Sequence, residues 1–213
     1  MALARTGGGW GWWVMTLLSI GVGGYALFLT VTGFRFVPAT VLANGFPSPL
    51  GIRIHIAAAA LALLTGPWQF LRRLRAGNPA LHRWTGRTYV LACTIGGLAG
   101  GSVAMFSTSG PIAGAGFLGL AICWEITTLT GWRLAMRRSY VLHERWMVRS
   151  FALTLAAVTL RIYLPPAIIA NHGAFPVEAY RAIAWLCWVP NLLVAELYLW
   201  LRSRPRAAKE QAA

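Results

Sequence analysis

Residues 81–106 read LHRWTGRTYVLACTIGGLAGGSVAMF, a basic and aromatic opening followed by about twenty residues with no charge after Arg87. A helix needs about 20 apolar residues to cross some 30 Å of hydrocarbon. The tail of this stretch has that length, and its Arg and Trp suit the boundary where lipid headgroups begin. Read this way, the stretch is one transmembrane helix entered from a positively charged face.

Working outward, apolar runs of similar length recur through almost the whole chain. We read six spans, at about 10–34, 50–71, 86–106, 112–134, 146–170 and 180–202. The breaks between them carry turn residues: NGFPSPLG before the second, RAGNP before the third, STSGP before the fourth, PP and NHGAFP before the sixth. Composition agrees, with 57% hydrophobic residues, 11% charged and 11 Trp in 213 residues, outside the balance of a soluble domain. Sheet edges cannot be satisfied in lipid, so the expected fold is all-α, a bundle of six transmembrane helices. One domain over 1–206 and a short polar tail over 207–213 follow. The first apolar run lacks a cleavage-site pattern and reads as a retained span rather than a signal peptide.

The net charge of +14 does not point to nucleic acid, because the cations collect at helix ends. Arg72, Arg73, Arg75, Arg83 and Arg87 lie between spans two and three. Arg133, Arg137, Arg138, Arg145 and Arg149 lie between four and five, and the tail adds Arg202, Arg204, Arg206 and Lys209. Only Arg35, Arg53 and Arg181 fall on the other side. The positive-inside rule then predicts a multi-pass protein of the bacterial inner membrane with both termini cytoplasmic. Anionic headgroups of the lipid bilayer are the plain partner for this rim. Cys93, Cys123 and Cys187 fall in different spans, without metal-like spacing, and read as packed thiols.

The opening phrase occurs twice. RWTGRTY at 83–89 aligns with RWMVRSF at 145–151 as R-W-x-x-R-[ST]-[YF], with His82 one residue ahead in the first copy and His143 two ahead in the second. Each copy starts a span, and each is followed by a returning span bearing a glutamate, Glu125 or Glu196. Spans three to four and five to six therefore read as related hairpins. In this reading Arg87 and Arg149 face each other, free to bind Glu125 and Glu196 or a ligand carboxylate, phosphate or quinone carbonyl. The bland alternative is that the phrases are interfacial anchors. The sequence has no Asp, so Glu125 and Glu196 are ionisable groups at depth: proton carriers or structural ion-pair partners.

Two histidines at matching depth among cations are what a bis-imidazole haem needs, and His82 with His143 meet that pattern. His55 and His172, on the far side, form a weaker pair. Arg161 lies within span five near the level of His55, lining a cavity or held by Tyr163, Gln69 or a backbone carbonyl. Gly96, Gly97, Gly100 and Gly101 read as close-packing positions, and every span reads as uninterrupted, which argues against a transporter.

Four phrases, HIAAAALALLTGPWQFL at 55–71, LHRWTGRTYV at 81–90, HERWMVRSFALTLAAVTLRIYLP at 143–165 and AWLCWVPNLLVAE at 184–196, resemble a bacterial family of predicted membrane proteins, domain of unknown function 2306. That family implies a membrane protein and no particular reaction. A looser likeness is to small b-type cytochromes, which take two pairs of histidines from four consecutive helices; span four here has none, so only one inner haem is compatible. Two functions remain in view. One is membrane electron transfer with haem b or quinone at His82, His143, Arg87 and Arg149. The other is a non-catalytic accessory or assembly subunit of a larger membrane complex, which the lack of a complete catalytic constellation favours.

Overall fold

The structure, a computed structural model, describes residues 9–36 and 49–210, and its regular elements there are helical. Most of the NGFPSPLG connection and the last three residues lie outside the described residues. The helices are α1 (Trp10–Val31), α2 (Pro49–Thr65), α3 (Arg72–Gly77), α4 (Pro79–Ala104), α5 (Pro111–Met136), α6 (Tyr140–Thr154), α7 (Ala156–Ala170), α8 (Val177–Leu186) and α9 (Val189–Glu210). A 3-10 turn, Pro67–Phe70, follows α2.

Among the described residues, five stretches are long and apolar enough to cross a membrane: Trp10–Val31, Leu50–Phe70, Pro111–Met136, Tyr140–Ala170 and Val177–Ser203. The remaining expected span, α4, has 26 residues, about 39 Å at 1.5 Å per residue. Its glycines and threonines leave it less apolar than the other five. Both copies of the repeated phrase lie inside helices, because α4 and α6 each begin several residues ahead of the apolar run. Pro79 presets the first turn of α4, and the Asn78 side chain accepts from the Leu81 N–H at 3.0 Å. At the other end of the α4–α5 hairpin, α5 stops at Arg138. This residue adopts φ +59°, and the Ser139 N–H reaches back to the Leu134 carbonyl, a left-handed cap made without glycine. His172 ends α7 in the same way, at φ +53°.

Helices pack in chain order, α1 on α2, α2 on α4, α4 on α5 and α5 on α6. α8 then lies on α5 and α9 on α6, while α7 leans on α8 and α1. The core between them is built on Tyr89, Trp124, Met147, Phe151, Leu153 and Trp188.

The expectation of uninterrupted spans is corrected. The fifth breaks at Leu155, whose carbonyl receives both Val158 and Thr159 N–H groups, and the sixth breaks at Cys187–Trp188. Pro190 explains the second break, since without an N–H it cannot bond the Leu186 carbonyl. Asn191 bridges the two. Its Nδ2, with two protons to give, lies within hydrogen-bond distance of three acceptors: Thr159 Oγ1 of α7 at 2.9 Å, the Cys187 carbonyl at 3.1 Å and the Ala152 carbonyl of α6 at 3.3 Å. The hairpins that begin with the repeated phrase thus differ in backbone: α4 and α5 are continuous, and their counterparts are each in two pieces.

Candidate functional site at the arginine-rich end

The first turns of α4 and α6 bring the two phrases together. His143 Nδ1 lies 2.8 Å from the Gly131 carbonyl of α5. A carbonyl only accepts, so Nδ1 carries a proton, and in the neutral ring the lone pair is on Nε2, the arrangement a metal-ligating imidazole uses. Gly131 also needs its missing side chain: a Cβ there would stand 2.6 Å from Met147 Sδ. His82, opposite on α4, has a buried Nδ1 with no hydrogen-bond partner. It lies within electrostatic reach of His143, Arg75 and Arg83. Among the described residues no three His, Cys, Asp or Glu side chains gather as a metal site, so the ligand chemistry available here is that of two imidazoles.

Burial, reinforced by the charges of Arg75, His143 and Arg83, holds His82 below the ordinary histidine value of 6.5. The unfolded chain therefore takes up a proton that the fold resists. Stability is expected to be full above about pH 6.5, to fall as pH drops below it, and to level off once His82 is protonated in the fold as well. Thermal unfolding at about pH 8 and about pH 5.5 checks this, and His82→Gln should shrink the difference between the two curves.

Both inner arginines stack on the Trp three residues earlier, Arg87 over Trp84 at 4.9 Å and Arg149 over Trp146 at 5.0 Å. The W-x-x-R spacing is thus a cation–π pair on one helix face. There the likeness ends. Arg149 also holds Glu196 of α9 with two hydrogen bonds, Nη2 to Oε2 being 2.8 Å, and so ties α6 to α9. Arg87 has no such partner among the described residues, and the expected pairing of an inner arginine with Glu125 does not form. Glu125 sits instead against α4 beside Thr94, with a buried Oε1 that has no hydrogen-bond partner.

The glycines of α4 have a more specific role than close packing. Gly96 gives its carbonyl to His55 Nδ1 of α2 at 2.8 Å, and a Cβ on Gly100 would stand 2.6 Å from that ring nitrogen. A Cβ on Gly97 would overlap the Glu125 carboxylate. One helix face admits a histidine and the adjoining one a glutamate. Gly100→Ala should therefore lower stability by about 1–3 kcal/mol, because the imidazole is fixed by its bond to Gly96. Gly77→Ala, where nothing lies within 4 Å, should show no such loss in the same thermal melt.

Beneath the arginine layer lies a hydroxyl cluster that the sequence reading did not single out. Tyr89 Oη is 2.9 Å from Ser150 Oγ and 2.8 Å from Thr154 Oγ1; Thr128 Oγ1 is 2.7 Å from Ser150; and Trp124 Nε1 donates to Thr154 at 2.9 Å. Every member is buried, so the cluster fixes the register of α4, α5 and α6 by mutual satisfaction of polar groups. Tyr89 and Ser150 come from the ends of the two phrases, R-[ST]-[YF], which was the available signal. The far-side pair is not brought together. His172 is an exposed cap residue, whereas His55 is tied to α4 and lies within electrostatic reach of Arg161. Arg161 bonds neither Tyr163 nor Gln69; its Nη1 donates to the Ala157 carbonyl at 2.9 Å, and Gln69 instead donates to Thr85.

One protein family matches the chain over residues 52–199, and its description reads predicted membrane protein, DUF2306. No curated protein and no solved structure matches.

Proposed function

The chain belongs to the DUF2306 family of predicted membrane proteins, a membership that names no reaction, and we propose that its arginine-rich end is a one-electron transfer site in which His82 and His143 hold a haem b. The observation that carries this reading is the state of the two imidazoles. One is oriented by a backbone carbonyl so that its Nε2 is free, and the other has a buried nitrogen with no partner. They open two helices that both pack on α5 and meet each other through Tyr89, Ser150 and Thr154. The donor set fits a haem: His82 and His143 would hold the iron, and Arg75 and Arg83 would supply cations for the propionates. Haem iron, when bound, supplies the exchange of a single electron.

The chain's own residues do the rest. Gly131 orients His143. The hydroxyl cluster below excludes water and holds α4 and α6 in register, and Arg149 is committed to Glu196, so Arg87 is the inner arginine left for a ligand oxygen. Glu125, without a cation partner, is the group suited to take up a proton with the electron. By the positive-inside rule this end faces the cytoplasm of a bacterial inner membrane.

The test is the absorbance spectrum of protein purified from a host with ample haem. A Soret band and about one haem per chain by pyridine haemochrome are expected. His82→Ala and His143→Ala should each remove the band, and His172→Ala should keep it. A blank wild-type spectrum overturns the reading.

A further inference from the structure

Arg161 is held the wrong way for an arginine in a membrane. It lies nine residues before the end of α7 at Ala170, about 13 Å along the helix, and 21 residues from the other end of that span at Tyr140. A lipid-embedded arginine ordinarily snorkels to the nearer surface. This one points back by a turn toward Ala157, into the bilayer interior. No carboxylate answers it among the described residues: Glu144, Glu178 and Glu196 are paired with Arg202, Arg181 and Arg149, and Glu125 lies against α4.

Among the described residues, His55 and Tyr25 lie within electrostatic reach of Arg161. Because His55 Nδ1 donates to Gly96, its Nε2 is an acceptor. The cluster therefore offers guanidinium donors, an imidazole acceptor and a phenol. An apolar groove of about 380 Å³ runs between α1 and α7, lined by Val14, Leu18, Val158 and Ile162 among others; Ile162 is the neighbour of Arg161 on α7, and Val158 lies one turn before it. The α1 face that carries Leu18 returns seven residues later at Tyr25, which leads the groove to the cluster.

We propose that this groove and cluster bind a bilayer-soluble quinone, its isoprenoid tail along α1 and α7 and its ring oxygens at Arg161 and His55. The guanidinium meets a quinone carbonyl, and His55 Nε2 accepts from the hydroxyl of the reduced form. Depth selects this ligand over an anionic lipid, whose phosphate would have to sink about 13 Å below the end of α7, whereas a quinone ring is neutral and already dissolved in hydrocarbon. The volume falls within the usual range for ligand sites, about 300–1,000 Å³. The site shares no residue with the haem site, so a blank haem spectrum leaves it standing.

The experiment is photolabelling of the purified protein in phosphatidylcholine nanodiscs with an azido-quinone, followed by peptide mapping. Label is expected on α1 and α7, displaced by excess decyl-ubiquinone. It should fall by about tenfold or more in Arg161→Gln, fall likewise in Leu18→Trp, which fills the groove without touching the polar cluster, and stay unchanged in Arg202→Gln. Label that decyl-ubiquinone does not displace, or that is equal in Arg161→Gln, overturns the proposal. Displacement by phosphatidylglycerol instead would assign an anionic-lipid site and overturn it too. Should Arg161→Gln fail to elute as a folded protein, Leu18→Trp decides alone.

Discussion

Phe151→Ala is expected to lower the unfolding free energy by about 3–5 kcal/mol, the usual cost of emptying a fully packed aromatic position. Phe151 is the last residue of the second phrase and is 3% exposed. Its ring lies 5.4 Å from that of Phe70 and 6.3 Å from that of Tyr89. Beneath it passes Gly66, where any Cβ would overlap the Phe151 ring. The side chain thus touches the turn after α2, the first phrase and its own helix, and Tyr89, one of its ring neighbours, is held in place by its hydroxyl contacts. Unfolding in detergent micelles measures the loss. Phe106→Ala, at a position 58% exposed, is the control and should cost no more than about 0.5 kcal/mol; equal losses at the two sites would contradict the packing described here.

The second large effect is expected at Gly116, where α5 meets α8. A Cβ there would stand 3.0 Å from the backbone carbon and oxygen of Ala184 and 2.9 Å from Trp185 Nε1. Backbone cannot turn aside as a side chain can. Gly116→Val must therefore push α8 away, and with it the two indoles that clamp the helices: Trp188 Nε1 donates to the Gly116 carbonyl and Trp185 Nε1 to that of Ile112, each at 3.1 Å. Overpacking of about 1–3 kcal/mol and two lost hydrogen bonds of about 1 kcal/mol each give a total near 3–5 kcal/mol. Gly119→Val, facing only the rim of the Trp188 ring at 3.5 Å, should be much milder in the same unfolding measurement.

How much of this was legible beforehand depends on which physical quantity decided each feature. Apolarity over twenty residues decides a span, and it is written in the sequence; hence the helices fall close to where they were expected. The breaks at Leu155 and Cys187 were not expected, because hydropathy is blind to backbone hydrogen bonds and Pro190 sits in an otherwise ordinary apolar run. The repeated phrase gave one of its two arginine–glutamate pairs and missed the other. Arg87 and Arg149 both stack on a Trp three residues back, as the spacing dictates, yet only Arg149 meets a glutamate. That outcome depends on the rotation of α9, which no local pattern specifies. The α4 glycines show the same limit. Their spacing announces close approach, but that His55 and Glu125 are what approach is a fact of tertiary structure. Asn191 carried no signal of its own, being one amide among leucines and valines.

That amide bears on how the molecule moves. Both breaks occur partway along their spans and Asn191 links them, but the two outer pieces are not held alike: Trp185 and Trp188 clamp α8 to α5, whereas α7 is tied by Thr159 to Asn191. Exchange of backbone hydrogen for deuterium should therefore begin in α7, which packs more sparsely on its neighbours than α4, α5 or α6 do. Loosening would start on the Arg161 side while the arginine-rich half still holds its form, so α7 is the soft piece of the protein and the Asn191 amide marks where it begins.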